Sequence, residues 1–449
     1  MTSKNIKKES SFDEDDFDRK KVSIKLIELL IRDIDISPIV INGEWGTGKT
    51  IFCKKTTDLI EKNYKDVIEC TYIDAFSADH ANEPLLTIIA AIAKLINKSP
   101  RKQEFLKAAK AVACYSIKAF GKAGISWMLR TDTNNLTGEI LDVVKTATAD
   151  SIDYLLDKLI IEHEKVEENI DSLKKILLGI TETKPLIIFV DELDRCKPTF
   201  AVSMLEIIKH VFDIPGIKFV LISNFKQLMA SIKNCYGNEV NAHQYLEKFI
   251  KYSFELPAVV KVGPNSTYVS CLHANNLISN NELFNSGIWK HSLEFIKQLI
   301  EQNGLSLREV ETFIRYCSIY IIMSEGSPNR FSIMFVLTIF LIFIYAYVPS
   351  IKEKIQKRKI TAADLCQLLG ITEYLKSENI PGVSHSQALS AYIIITFNDG
   401  SIENFDFEDT DALDNWNRHL NQRITSGEHA LSNFFKYADQ EFNKLMFKI

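Results

Sequence analysis

Gly43-Glu44-Trp45-Gly46-Thr47-Gly48-Lys49-Thr50 decides how this chain is read. The stretch fits G-x-x-x-x-G-K-[ST], a spacing in which glycines let the backbone wrap around phosphate oxygens and aim N–H groups at the anion. The flanks agree. Pro38-Ile39-Val40-Ile41-Asn42 is a short β-branched run that predicts a buried strand. From Ile51 to well past Ile60 no breaker interrupts the chain, so the loop opens onto a helix whose N-terminus also favours negative charge. Lys49 is the residue to reach the β- and γ-phosphates, and the Thr50 hydroxyl the one to hold Mg²⁺. Gly43, Glu44, Trp45, Gly46, Thr47, Gly48, Lys49, Thr50 and Ile51 form the candidate nucleotide-binding segment.

A second motif lies downstream. The strand pattern Leu186-Ile187-Ile188-Phe189-Val190 runs into Asp191-Glu192-Leu193-Asp194-Arg195. An apolar strand ending in an acid delivers a carboxylate to the C-terminal edge of an open sheet, where ligands bind in α/β folds. Asp191 is the candidate metal-shell ligand, together with Thr50. Glu192 is the candidate general base for the attacking water. Asp194 competes for that role, and Asp194 with Arg195 as a structural pair stays open. The next strand, Lys218-Phe219-Val220-Leu221-Ile222, ends in Ser223-Asn224. Asn224 either contacts the γ-phosphate or the attacking water, or caps the strand end.

The rest of the chain is organised around these two motifs. Phe17 to Ile36 predicts an amphipathic helix, Val67 to Ile73 a strand ending at Asp74, and Glu83 to Ile96 a helix. Lys98 to Arg130 is rich in lysine and arginine, and Ile152 to Leu178 has helical apolar spacing. Apolar strands separated by helices indicate a parallel sheet covered on both faces, so the fold class is α/β. Residues from about Ser266 to Cys366 are patterned as helices. Ala391 to Phe397, followed by Asn398-Asp399-Gly400, predicts a strand and hairpin turn. The expected domains are a lead-in over 1–16, a nucleotide-binding core over 17–260 with a basic helical insert at 98–180, a helical domain over 261–370, and a small α+β extension over 371–449.

Composition narrows the function classes. The chain has 449 residues, 46% of them hydrophobic and 25% charged, with a net charge of -5. That balance is globular and exerts no global pull toward nucleic acid or anionic lipid. Eight cysteines without a C-x-x-C pair, and nine histidines without metal-like spacing, favour a reducing compartment and no structural zinc. The segment Met1–Lys21 is polar and lacks a signal-peptide core. The uncharged run Phe331 to Pro349 admits two readings, a buried core helix or membrane contact.

Together the motifs resemble the KAP family of P-loop NTPases, which includes a plasmid-encoded phage-exclusion protein and a neuronal membrane scaffold. Four stretches carry the likeness, over roughly residues 12 to 370: the glycine loop with Trp45; Phe189-Val190-Asp191-Glu192-Leu193-Asp194-Arg195-Cys196; Tyr245-Leu246-Glu247-Lys248-Phe249-Ile250 with Phe254-Glu255-Leu256-Pro257; and Leu307-Arg308-Glu309-Val310-Glu311. The resemblance implies an additional-strand P-loop fold with a helical lid, and Mg²⁺-dependent hydrolysis of ATP or GTP, ATP being the family default. It suggests Arg308 as a lid arginine and Lys248 as a finger entering a neighbour's site, each set against a plain surface charge. Glu192 stands where the family commonly has Asp, and Asn224 where it often has Asp. Many members carry transmembrane helices between the two motifs, whereas the insert Lys98 to Ile180 has no stretch apolar enough to span.

The expectation is therefore a cytoplasmic ATPase, or one peripheral to the inner membrane, that is a homo-oligomer and drives an assembly or conformational switch. The resemblance points to bacterial anti-phage defence with effector or operon partner proteins. Two alternatives stand beside it: a membrane-associated, nucleotide-gated scaffold with slow hydrolysis, and a nucleic-acid-stimulated ATPase using the basic insert.

Overall fold

The computed structural model describes residues 17–32, 34–96, 101–112, 168–262, 265–285, 287–324, 333–371, 384–397 and 434–447. The chain divides into two units, Met1–Glu44 with Gly48–Leu256, and Trp45–Thr47 with Pro257–Ile449.

The first unit is built on five strands: β1 (Ile39–Asn42), β2 (Glu69–Asp74), β3 (Leu186–Asp191), β4 (Ile217–Ser223) and β5 (Tyr252–Glu255). Their spatial order is β2-β3-β4-β1-β5, and every pairing is parallel. All six residues of β3 are buried, as its unbroken apolar run requires of a central strand covered on both faces. The period-two alternation then sorts side chains between two cores. Val40, Ile188, Val190, Phe219 and Leu221 face one, and Ile39, Ile41, Ile187, Phe189, Val220 and Ile222 face the other.

Helices α1 (Arg19–Ile31) and α2 (Lys49–Asn63) cover the second of these faces through Leu26, Ile27, Leu30, Phe52, Cys53 and Ile60. Helices α3 (Pro84–Leu95), α4 (102–112), α5 (168–181), α6 (Pro198–Val211) and α7 (Phe225–Tyr236) cover the first. Proline opens both α3 and α6, where a missing N–H leaves no helical bond unmade. A six-residue helix, α8 (Ala242–Glu247), completes the unit before β5. Among the described residues, the predicted strands and helices of this unit are present to within about five residues. Most of the basic run Lys98–Arg130, and the segment from Ile152 to Glu167, lie outside the described residues.

The second unit opens with a two-stranded antiparallel hairpin, β6 (Val259–Val262) and β7 (Asn265–Tyr268). Sequence patterning did not predict it. Helices follow: α9 (Val269–Ser279), α10 (Leu293–Gln302), α11 (Leu307–Met323), α12 (Ile333–Tyr347), α13 (Pro349–Gln356), α14 (Ala362–Leu368), α15 (His385–Phe397) and α16 (Phe434–Leu445). The start of α11 is fixed by a capping box, in which Ser306 and Glu309 satisfy each other's backbone N–H.

Two expectations bear on this unit. Every residue of α12 from Ile333 to Ile344 is buried, so this stretch of the uncharged run packs as a core helix. Among the described residues no single helix is long and apolar enough to cross a membrane; α12 and α13 pass that test only as a pair bent by 116°. The predicted strand Ala391–Phe397 is instead the C-terminal half of α15. Ala388, Leu389, Tyr392 and Ile393 are buried against the same core as α12, and that packing overrides the strand preference of Ile393, Ile394 and Ile395. The predicted turn Asn398–Gly400 lies outside the described residues.

Candidate functional site

The parallel sheet brings the predicted residues together at one edge. Strands β1, β3 and β4 end, respectively, at Asn42, Asp191 and Ser223, and the next residues are Gly43, Glu192 and Asn224. Because β4 lies between β1 and β3, the acidic strand stands one place removed from the strand that feeds the glycine loop. Asn42 braces this edge. Its Nδ2 donates to Glu255 Oε1 at 2.8 Å, and its Oδ1 accepts from the Phe225 N–H at 3.0 Å, so it joins the end of β1 to β5 and to the start of α7.

The loop takes the backbone shape its glycines permit. Gly46 and Gly48 lie at φ 83° and 81°, where a side chain would be strained, and Gly48 caps α2. Lys49 is buried and folds back on its own loop, donating from Nζ to the carbonyls of Gly43 at 2.5 Å and Glu44 at 2.8 Å. Burial holds the Lys49 ammonium below its ordinary pKa, while Asp194 and then Asp191 pull it back up. The lysine thus belongs electrostatically to the acidic motif as well as to the loop. Outside the loop, Glu44 Oε1 accepts from Lys226 Nζ at 2.8 Å, an exposed pair that contributes little to stability.

Asp191 is buried and its carboxylate is held from two sides. The Glu192 N–H donates to Oδ1 at 2.8 Å, and the Tyr72 hydroxyl donates to Oδ2 at 2.5 Å. Tyr72 comes from β2, which pairs with β3 in a register that sets Asp74 opposite Asp191. Burial, reinforced by the Asp191 charge, pushes the Tyr72 phenol well above its ordinary pKa, so it stays a donor. Each carboxylate oxygen has more than one lone pair, so a water-bound divalent cation still finds acceptors on Asp191. The Thr50 hydroxyl at the start of α2 supplies another hard oxygen. This donor set fits Mg²⁺.

Glu192 adopts the left-handed conformation, φ 58°, and caps a short turn over Leu193–Arg195. Burial raises its carboxyl pKa, and the nearby Arg195 opposes that rise. Arg195 Nη1 lies 3.1 Å from Glu192 Oε1. Asn224 is buried, and its Oδ1 accepts from the Lys226 N–H at 3.0 Å, capping α7. Its position therefore serves the cap reading directly, while leaving the Nδ2 group as a donor beside the sheet edge.

The remaining predicted residues each have surroundings of their own. Lys248 follows α8, is exposed, and rests its ammonium 5.6 Å over the Tyr245 ring, while its carbonyl accepts from Lys209 Nζ. Arg308 is exposed in the first turn of α11 and sits against the glycine loop: a Cβ built on Gly46 would lie 3.0 Å from the Arg308 Cβ. Trp45 and Ile51 are each nearly half exposed. Two contacts were not predicted, Tyr72 on Asp191 and Arg195 on Glu192. Only the short spacing between Glu192 and Arg195 carried any signal for the second.

The family model described as the KAP family P-loop domain matches residues 19–321. The chain belongs to the KAP family. It is a nucleotide-hydrolysing P-loop NTPase with the α/β fold that the family name implies. Family members generally bind nucleotide with Mg²⁺. No curated protein matches the chain.

Proposed function

We propose that this KAP NTPase hydrolyses ATP with Mg²⁺ and uses the cycle to drive a conformational or assembly switch. The observation that carries the reading is the shared sheet edge: a buried Lys49 on the glycine loop, coupled by charge to Asp194 and Asp191, with Glu192 at the next residue. On nucleotide binding, Lys49 leaves the Gly43 and Glu44 carbonyls for the β- and γ-phosphates, and the N–H groups of residues 46–50 cradle the phosphate chain. Asp191 and Thr50 would hold Mg²⁺, which neutralises phosphate charge when bound. Glu192 accepts a proton from the attacking water as its oxygen bonds to the γ-phosphorus and the bond to the β–γ bridging oxygen breaks, leaving a diphosphate. Asn224, through its Nδ2 group, is proposed to orient that water. Arg308, as a lid arginine, and Lys248, as a finger into a neighbour's site, complete the proposal.

The likeness to a family with a phage-exclusion member supports a role in anti-phage defence with partner proteins, in a cytoplasmic homo-oligomer. The burial of α12 favours this reading over a membrane-bound scaffold. Hydrolysis by wild type, Lys49→Ala and Glu192→Gln, with mass followed by light scattering, tests it. Loss of turnover in both variants, with Glu192→Gln held as a nucleotide-bound oligomer, is the expected result. A wild type that binds nucleotide at all concentrations without turning it over refutes the hydrolytic reading.

A further inference from the structure

We propose that Arg195 is a positioning residue for the general base, clamping Glu192 so that one carboxylate oxygen is fixed and the other faces the attacking water. The inference rests on the hydrolytic reading above and adds a residue to it.

The local chain geometry builds the clamp. The left-handed turn at Glu192 reverses the backbone just beyond β3. The reversed turn is closed by two bonds to the Glu192 carbonyl, from the Arg195 N–H at 3.1 Å and from Cys196 Sγ at 3.5 Å. A non-glycine residue in this conformation is strained, so the surrounding bonds must over-determine it. The consequence is that Arg195 lies over its own neighbour. Its Nη1 reaches Glu192 Oε1 at 3.1 Å, with the two side chains only 29% and 21% exposed.

Partial burial separates this pair from the exposed ion pairs of the surface, such as Glu44–Lys226. Less water competes for either group, and a planar guanidinium fixes a carboxylate more sharply than an ammonium does. A general base needs that restraint, because a carboxylate swinging by an ångström loses alignment with its water. With Oε1 held by Arg195, Oε2 is the oxygen assigned to accept the proton. The arginine's charge is also felt at Lys49, the residue that reaches for phosphate. A contact to phosphate is therefore the rival role, and the test separates the two.

The test uses the full chain with Arg195→Ala, Arg195→Lys, Glu192→Gln and the double variant Glu192→Gln/Arg195→Ala. Three quantities are read: kcat and KM, the Kd of a fluorescent ATP analogue, and the thermal midpoint. For a positioning residue, Arg195→Ala lowers kcat roughly 10–100-fold, the scale of a small misplacement. Its nucleotide Kd stays within about twofold of wild type, less than 0.5 kcal/mol. Arg195→Lys recovers part of kcat. In the Glu192→Gln background the arginine substitution has no further effect on turnover, since the group it positions is gone.

Unchanged kcat in Arg195→Ala overturns the inference. So does a loss of ATP affinity as large as the loss of kcat, which assigns Arg195 to phosphate. Additive losses in the double variant overturn it as well. An active wild type with an indifferent Arg195→Ala refutes only this step, whereas an inactive wild type that binds nucleotide removes both it and the hydrolytic reading.

Discussion

Tyr72→Phe deletes a single oxygen from the first unit, and its effect can be worked from one contact. The Tyr72 hydroxyl donates to Asp191 Oδ2 at 2.5 Å, and Asp191 is 2% exposed. A hydrogen bond to a charged group contributes about 1.5–3 kcal/mol, and the buried carboxylate oxygen left behind has little water to turn to. Without nucleotide, the unfolding free energy of the unit falls by that amount. For a unit of this size the thermal midpoint then drops by roughly 3–12 °C.

Mg²⁺ and a nucleotide change the comparison. A cation brought to Asp191 supplies the positive potential that the phenol had supplied, so the variant gains at least as much from Mg·nucleotide as wild type does. The gap between the two proteins should narrow when both ligands are saturating, by the usual linkage between binding and stability. The assay is thermal or urea denaturation of both proteins, each with EDTA, with Mg²⁺ alone, and with Mg²⁺ plus a non-hydrolysable ATP analogue. A ligand-free difference below about 0.5 kcal/mol, the size of an ordinary surface substitution, refutes the reasoning. A gap that Mg·nucleotide leaves unchanged refutes the assignment of Asp191 to the metal.

Other substitutions test the rest of the site and the second unit. Lys49→Ala should weaken triphosphate binding at least roughly tenfold in a fluorescence titration, because it removes the charge-assisted phosphate contact; unchanged binding would remove Lys49 from the site. Asn224→Ala should lower unfolding free energy by about 1 kcal/mol through loss of the α7 cap, whereas Asn224→Asp keeps the cap and should lower kcat without that penalty; equal kcat in Asn224→Asp and wild type would leave Asn224 a cap only. Burial raises the Glu192 pKa and Arg195 opposes it, and the base acts only when ionised. The acid limb of the kcat–pH profile should therefore lie above that of a free glutamate and move to still higher pH in Arg195→Ala; a limb that stays in place contradicts the pairing. Leu341→Ala, in the buried stretch of α12, should cost about 2–5 kcal/mol in denaturant unfolding, as for large-to-small changes in a packed core.

The sheet and the two nucleotide motifs were legible because each is local. Glycine spacing fixes a backbone shape within eight residues, and an apolar strand ending in Asp191 fixes where a carboxylate emerges. Stacking these strands in parallel then gathers their ends without further information, which is why Lys49, Asp191, Glu192 and Asn224 meet at one edge. Tyr72 was not legible for the converse reason. It reaches Asp191 only because β2 and β3 pair with Asp74 opposite Asp191, and register between strands more than a hundred residues apart leaves no mark on either one alone. Arg195 sits close to Glu192 in sequence, yet its partner depends on the left-handed turn at a residue that carries no glycine. The sequence offered Asp194 as the structural pair for Arg195, and the turn brings the guanidinium onto Glu192.

The second unit shows where hydropathy itself loses resolution. The uncharged run from Phe331 and the segment Ala391–Phe397 are both apolar on successive residues, so neither period two nor period 3.6 stands out. Such a run fits a central strand, a membrane helix or a core helix equally well, and composition pulls toward the wrong choice where β-branched residues cluster. The surroundings decide. A strand at Ala391 would need a sheet partner for its backbone groups, while α12, α14 and α16 offer apolar helix faces that Leu389, Tyr392 and Phe397 fill. Helix α15 satisfies its backbone internally and places those side chains in that core, as α12 does beside it. For α12 the arithmetic points the same way. Fifteen residues at about 1.5 Å each give a helix of roughly 22 Å, short of the ~30 Å hydrocarbon layer, and its apolar surface is already covered by the unit's own helices.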